Sequence, residues 1–155
     1  MRLAPQEIRT FFVTAVTWER RPIFRAEPMA RLFLDTLTRY RSEGRFLLHE
    51  FVLMPDHFHL LLTPAHDVSL EKALQFVKGG FSFRVKREMG SSLEIWQAGF
   101  TEHRVQDAQD FQRHVVYIRE NPVRARLAEN AGAYPYSSAS GTVEIDPEPL
   151  GLKPH

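Results

Sequence analysis

The sequence predicts an α+β protein, because two kinds of apolar pattern alternate along it. Stretches rich in aromatic and β-branched residues predict strands, the first over residues 9–18. Two further strands, 45–54 and 57–63, are separated by a short turn containing Pro55, so they are expected to form an antiparallel hairpin. A fourth strand is predicted over residues 95–105. With the helices, the order is strand, helix, strand, strand, helix, strand, helix.

Three helices are predicted from apolar residues that recur at steps of three and four. The first covers residues 27–41, and the second covers 70–89 with Ser69 as its N-cap. The third covers residues 108–121, because Pro122 ends or kinks a helix.

Two consecutive glycines, Gly79 and Gly80, interrupt the second predicted helix. Each glycine costs a helix about 1 kcal/mol relative to alanine. We therefore expect either that another element approaches the backbone closely at this point or that the helix bends.

Composition limits the classes of function. The chain has 155 residues, enough for one domain with its own core. Hydrophobic residues make up 43% and charged residues 25%, as in a soluble globular protein. The absence of cysteine excludes disulfides, thiolate zinc sites and a cysteine nucleophile, and it agrees with a cytoplasmic location. No apolar run reaches the length of a membrane span, so no membrane partner is expected.

Charge is distributed unevenly along the chain. The formal net charge is +1, but three carboxylates and one lysine follow Gly141, and without them the charge is +3. We expect residues 142–155 to form a mobile acidic tail. Arginine supplies 16 of the 20 basic residues. Its planar guanidinium suits phosphate oxygens, although a high-GC genome would enrich arginine as well.

A His-x-His pair opens the third predicted strand. Successive side chains of a strand point to opposite faces, so His57 and His59 share one face. Two imidazoles at this spacing can bind one metal ion, but they can equally lie on a partly wet sheet face and bind nothing. The second strand adds His49 and Glu50, which alternation places on opposite faces. A partner elsewhere in the chain is needed to decide.

The third helix supplies a partner. On a wheel of about 100° per residue, Tyr117 falls on a polar face, opposite the apolar stripe that contains Phe111 and Ile118. Asn121 lies one turn further along the same face. Its amide oxygen could be a third, hard ligand beside two imidazoles. That donor set favours Mg²⁺ or Mn²⁺ over a closed structural zinc site.

The segments MPDHFHLLL and YIRENPVRARL together resemble the single-tyrosine HUH transposases, and most closely the REP-associated tyrosine transposases. The resemblance covers most of the chain. It implies one HUH tyrosine transposase-like domain over residues 1–141, built as a ferredoxin-like antiparallel sheet with helices packed on it. The protein would then associate with the nucleoid when it is bound to DNA.

The resemblance also implies a mechanism. His57, His59 and Asn121 would hold a divalent metal, and Tyr117 would attack a phosphodiester of single-stranded DNA, leaving a 5′-phosphotyrosine and a free 3′-hydroxyl. A phenol, with a pKa of about 10, needs help to act as a nucleophile at neutral pH, and a metal that polarises the phosphate provides it. One nucleophilic tyrosine allows one cleavage at a time, so two cuts require a homodimer or sequential use of a monomer.

The expected partner is single-stranded or hairpin DNA, since relatives suggest hairpin-forming palindromic repeats. Side chains that could contact backbone phosphates share a positive charge and lie on the last two predicted helices and just beyond. They are Arg113, Arg119, Arg124, Arg126, Lys78 and Arg84.

Two other functions remain open at this point. One is a metal-dependent phosphodiesterase that forms no covalent intermediate and in which Tyr117 is a bystander. The other is a non-catalytic module that holds single-stranded nucleic acid on its sheet by stacking.

Overall fold

The computed structural model describes residues 7–154, which form a four-stranded antiparallel sheet with helices on both faces. The strands are β1 (Phe11–Val16), β2 (Phe46–Met54), β3 (His57–Pro64) and β4 (Thr101–Arg104). Their order across the sheet is β2-β3-β1-β4, and all neighbours are antiparallel. This is the ferredoxin-like arrangement, so the predicted fold class is confirmed.

Three helices pack on the sheet: α1 (Glu27–Ser42), α2 (Leu70–Met89) and α3 (Ala108–Arg124). Helices α1 and α2 cover one face, where alternate residues of the strands join a large apolar core. Helix α3 covers the other face over a smaller core. Within residues 7–154, no helix combines the length and apolarity needed to cross a membrane.

The helix caps follow the sequence closely. The Ser69 hydroxyl accepts the Lys72 amide at 3.0 Å at the start of α2. Helix α3 runs three residues beyond its predicted end, because Pro122 lies buried inside the helix rather than after it. A proline removes one backbone donor, and here the helix continues past that loss.

The glycine pair in α2 marks a close approach rather than a bend. A Cβ atom built on Gly80 would lie 2.6 Å from the Tyr40 hydroxyl oxygen, whereas one on Gly79 would have only the Gln75 Cγ within 4.0 Å. Gly80 therefore lets the Tyr40 ring of α1 pack directly against the α2 backbone.

The fourth strand is shorter than predicted. Of residues 95–105, only Thr101–Arg104 pair as a strand, next to β1. Trp96 is buried in the core and forms a single bridge to Thr17. Gly99, at a φ of 78°, lies between this bridge and β4. The apolar residues that suggested a strand are buried by core packing instead.

The chain after α3 returns to the edge of β2. The Leu53 amide donates to the Tyr136 carbonyl at 2.8 Å. Further on, the Asp146 amide donates to the Leu48 carbonyl, and its carboxylate accepts two bonds from Arg41 at 2.9 and 3.0 Å. These contacts attach Asp146 to α1 and β2, and the mobility predicted for residues 142–155 stays a prediction. Residues 1–6 of the predicted domain, and residue 155 of the tail, lie outside the described range.

Candidate active site

The site is built on the α3 face of the sheet. In β3, Phe58 and Leu60 are buried in the core beneath α1 and α2, so alternation turns His57 and His59 towards α3. His59 is paired directly with Thr14 of β1. The two imidazole centroids are 4.9 Å apart.

Each imidazole is oriented through Nδ1. His57 Nδ1 lies 2.7 Å from Asp56 Oδ1, and His59 Nδ1 lies 2.7 Å from Thr14 Oγ1. Neither Nε2 atom has a hydrogen-bond partner in the described part of the chain. One ring nitrogen held by an oxygen while the other is left for the ion is the usual arrangement of metal-binding histidines.

The protonation state of His59 also suits a metal. Burial, and to a smaller extent the neighbouring His57, lower the pKa of the His59 imidazole to about 3. This ring is therefore neutral at pH 7, the form that binds metal. Burial raises the pKa of the Asp56 carboxyl, but hydrogen bonds from His57 and Arg20 outweigh it, and the pKa lies below its usual value. Asp56 thus stays ionised beside His57.

Tyr117 of α3 lies beside the two sheet histidines. Its ring centroid is 5.4 Å from that of His59, with the planes 73° apart, and 42% of the residue is exposed. Phe12 of β1 contacts both rings, at 5.2 Å from His59 and 5.8 Å from Tyr117. The Arg124 guanidinium lies 4.7 Å from the centroid of the Tyr117 ring and donates to the Tyr117 carbonyl at 3.3 Å. The structure therefore brings the two histidines and the tyrosine together.

Asn121 lies one turn beyond Tyr117 and is half-buried. No described residue forms a hydrogen bond with its side-chain amide, so the amide oxygen is available as a ligand. The metal site predicted from His57, His59 and Asn121 stays a prediction. Its two imidazole nitrogens and one amide oxygen would leave positions for phosphate oxygens and would suit Mn²⁺ or Mg²⁺.

Two of the predicted basic residues lie on the exposed side of the tyrosine helix, and a third follows the end of that helix. Arg113 and Arg124 line a shallow depression of about 480 Å³ together with Tyr117 and Val116. Arg126 is exposed in the turn after α3. A larger depression of about 660 Å³ lies at the far end of the β2–β3 hairpin, and it contains none of the predicted site residues.

The other three basic residues are engaged within the protein. Arg119 binds Glu50 through two bonds of 2.9 and 3.1 Å. Arg84 pairs with Asp35 and Glu88, and its side chain is largely covered. Both Arg84 and Lys78 lie on α2, on the opposite face of the sheet from the histidines. The DNA contacts predicted for these three residues stay predictions, and the structure shows their polar groups already partnered.

The Lys78 ammonium donates to the carbonyl oxygens of Gln97 and Gly99, at 3.2 and 2.7 Å. Burial lowers the pKa of this ammonium. The lysine therefore holds the loop between Trp96 and β4 against α2.

The sequence did not identify the roles of four polar residues near the site. A register shift between Leu48 and Glu50 turns His49 as well as Glu50 towards α3, contrary to strict alternation. His49 is bonded to Thr63 and to the Pro147 carbonyl, at 2.8 and 2.7 Å. Burial lowers the pKa of His49.

The remaining two, His103 and His114, gather around the buried carboxylate of Asp110. His103 lies opposite Phe12 in the pairing of β4 with β1, and His114 lies one turn after Asp110. The i, i+4 spacing of Asp110 and His114 is visible in the sequence, whereas the approach of His103 requires the β4 register.

The sheet presents two histidines, and the neighbouring helix places a tyrosine beside them. This arrangement agrees with the transposase class that the sequence resembles. The sequence profile of the family described as "Transposase IS200 like" matches residues 9–121, a range that includes both sheet histidines, Tyr117 and Asn121. The chain therefore belongs to the IS200-like transposase family.

Individual relatives narrow the family assignment of this chain. The REP-associated tyrosine transposase of Escherichia coli (strain K12) is 23% identical over 152 residues, covering 90% of this chain and 89% of the relative. A solved REP-associated tyrosine transposase bound to a REP hairpin superposes with a TM-score of 0.67 and 25% identity, over 99% of this chain and 93% of that chain. These matches confirm the resemblance found in the sequence.

A crystal structure of a putative transposase from Deinococcus radiodurans R1 shares the fold. It has a TM-score of 0.54 and 18% identity, over 68% of this chain and 85% of the other.

Proposed function

We propose that this transposase is a metal-dependent single-stranded DNA endonuclease and strand transferase that uses Tyr117 as its nucleophile. The observation that carries the proposal is the edge-on approach of the Tyr117 ring to His59, 5.4 Å between centroids, beside two imidazoles oriented for metal binding. A phosphodiester held there would face both the phenol and the metal ligands.

The chain's own residues account for each part of the reaction. His57, His59 and Asn121 would hold Mg²⁺ or Mn²⁺, and a bound ion would supply positive charge that polarises the scissile phosphate. The Tyr117 oxygen bonds to phosphorus while the bond from phosphorus to the 3′ oxygen breaks. The phenol loses its proton and the leaving 3′ oxygen gains one. The products are a 5′-phosphotyrosine and a 3′-hydroxyl, and attack by a 3′-hydroxyl reverses the step.

The proposed substrate is hairpin-forming repeat DNA. One relative is described as bound to a REP hairpin, and it covers nearly all of this chain. Arg113 and Arg124 beside Tyr117, and Arg126 in the turn after α3, are exposed and provide positive charge for backbone phosphates. The apolar part of the depression beside Tyr117 offers a surface for an unpaired base.

The deciding experiment incubates the protein with a labelled hairpin oligonucleotide and either Mg²⁺ or Mn²⁺. We expect a covalent protein–DNA adduct that survives denaturation and is absent in Tyr117→Phe. Tyr40→Phe is the matched control, because that tyrosine packs between α1 and α2, away from the histidines. Release of 5′-phosphate without an adduct, undiminished in Tyr117→Phe, would instead indicate a metal-dependent phosphodiesterase.

The metal is tested separately. His57→Ala and a chelator should each abolish cleavage, while binding of the hairpin is retained. If the hairpin binds equally well in all variants and no cleavage occurs at any metal concentration, the protein is a binding module.

A further inference from the structure

A second group of metal-binding side chains lies between β4 and α3, apart from the His57/His59 pair. One nitrogen of His103, one nitrogen of His114 and one carboxylate oxygen of Asp110 all lie within 4.8 Å of one another. No other three histidine or carboxylate side chains among residues 7–154 come this close together. We propose that these three residues form a second metal site, which binds a transition-metal ion such as Zn²⁺.

The spacing of the donors supports the site. Zinc bonds of about 2.0–2.1 Å in a tetrahedral site place neighbouring ligand atoms about 3.3 Å apart. His103 Nε2 is 2.7 Å from Asp110 Oδ2, and the whole set spans at most 4.8 Å. To bond one ion, the closest pair would separate by about 0.6 Å and the widest pair would close by up to about 1.5 Å. Two imidazoles with one carboxylate favour zinc, cobalt or manganese over magnesium.

The hydrogen bond of His114 fixes its tautomer and leaves Nε2 as its free donor atom. Its Nδ1 lies 2.8 Å from the Asp110 carbonyl oxygen, one turn earlier in α3. A carbonyl oxygen only accepts, so Nδ1 carries the proton and Nε2 is left to bind metal. The His103 ring lies nearly parallel to the His114 ring, 24° apart in plane and 4.8 Å between centroids. His103 is 43% exposed on a short edge strand, so it is the ring that can tilt towards the ion.

The position of the site suggests what it does. The cluster joins β4 to α3, the helix that carries Tyr117. Phe12 packs between the two histidine groups, with its ring centroid 4.7 Å from that of His114 and 5.2 Å from that of His59. An ion bound here would fasten the tyrosine helix to the sheet. It would act through position, without contacting the reacting phosphate.

The test measures metal binding in a variant without the first site. In His57→Ala/His59→Ala, we expect one Zn²⁺ per chain by equilibrium dialysis, a visible absorption band on addition of Co²⁺, and a higher melting temperature with Zn²⁺. Adding His103→Ala to this background should weaken binding at least tenfold and remove the rise in melting temperature. His66→Ala is the matched control, because His66 is exposed and distant from both groups.

Because His103 is partly exposed and belongs to neither apolar core, its truncation should leave both cores intact, which circular dichroism checks. The proposal is overturned if His57→Ala/His59→Ala binds neither ion, or if its binding is unchanged by His103→Ala. These outcomes do not depend on Tyr117 chemistry, so they are distinct from a failure of the proposed function.

Discussion

The two faces of the sheet are built for different purposes. Beneath α1 and α2, strand side chains meet an aromatic cluster in which the Phe33 ring contacts those of Phe24, Phe58, Phe81 and Trp96. Beneath α3, one helix covers a smaller apolar core, and polar groups occupy the rest of the face. One face therefore supplies most of the stability, and the other holds the buried His59 and the half-buried His57 beside an exposed tyrosine. The following predictions test that division.

The largest expected effect is on the aromatic face. Phe33→Ala should lower the free energy of unfolding by about 3–5 kcal/mol, because it removes a fully buried ring and leaves a cavity. Phe12→Ala is the counterpart on the α3 face, where the ring is only half-buried, and it should cost less stability. It should nevertheless reduce cleavage, since the ring contacts both His59 and Tyr117. Urea denaturation measures the stability of both variants. Equal losses of unfolding free energy would contradict the division between the two faces.

A smaller effect is expected where α1 meets α2. Gly80→Ala should destabilise the protein by about 1–3 kcal/mol, because the new methyl group would overlap the Tyr40 ring. Gly79→Ala should stabilise it by up to about 1 kcal/mol, since the added methyl group has room and alanine favours helix. Thermal unfolding of the two variants gives the comparison, and a stable Gly80→Ala protein would show that Tyr40 can move aside.

On the α3 face, the Arg119–Glu50 pair links the helix to β2. Arg119→Ala should cost about 1–3 kcal/mol, because it leaves the Glu50 carboxylate buried with the Ser138 hydroxyl as its remaining donor. Glu50→Gln in the same chain should restore part of the loss by removing the buried charge. Chemical denaturation of the single and double variants tests this. If Arg119→Ala alters the affinity for the hairpin but not the stability, the arginine binds DNA rather than stabilising the buried Glu50 carboxylate.

The smallest expected effect concerns the C-terminal segment. Burial raises the pKa of the Asp146 carboxyl, but hydrogen bonds from Arg41 and the Leu48 amide outweigh it, so the pKa lies below its usual value. A carboxyl whose pKa is lower in the folded protein than in the unfolded chain stabilises the folded protein at pH values above the unfolded pKa. This stabilisation is lost as the pH falls through the pKa of the folded state. Asp146→Ala should therefore cost about 1–2 kcal/mol at pH 7.

In the wild type, this contribution should fade only below pH 4. When unfolding is measured at decreasing pH from pH 7, the difference in unfolding free energy between wild type and Asp146→Ala should shrink as the pH falls through the folded pKa of Asp146. Rapid amide exchange of Leu48 in the wild type at pH 7 would instead support the mobile tail that the sequence predicts.

Local patterns in the sequence predicted a large part of the fold and of the candidate site. The two-residue period of β3 placed His57 and His59 on one face, and the helical wheel placed Tyr117 among polar residues. The Ser69 cap set the start of α2. Each of these features depends on residues within a few positions of one another, so it can be predicted directly from the sequence.

Long-range pairing decided the rest. The β4 register brings His103 to Asp110, and the shift between Leu48 and Glu50 turns His49 to the α3 side. The contact of Arg119 with Glu50 joins residues 69 positions apart. Such contacts arise only when the strands align and the helix settles on them. Composition and periodicity therefore indicate which groups are available, while packing determines which of them meet.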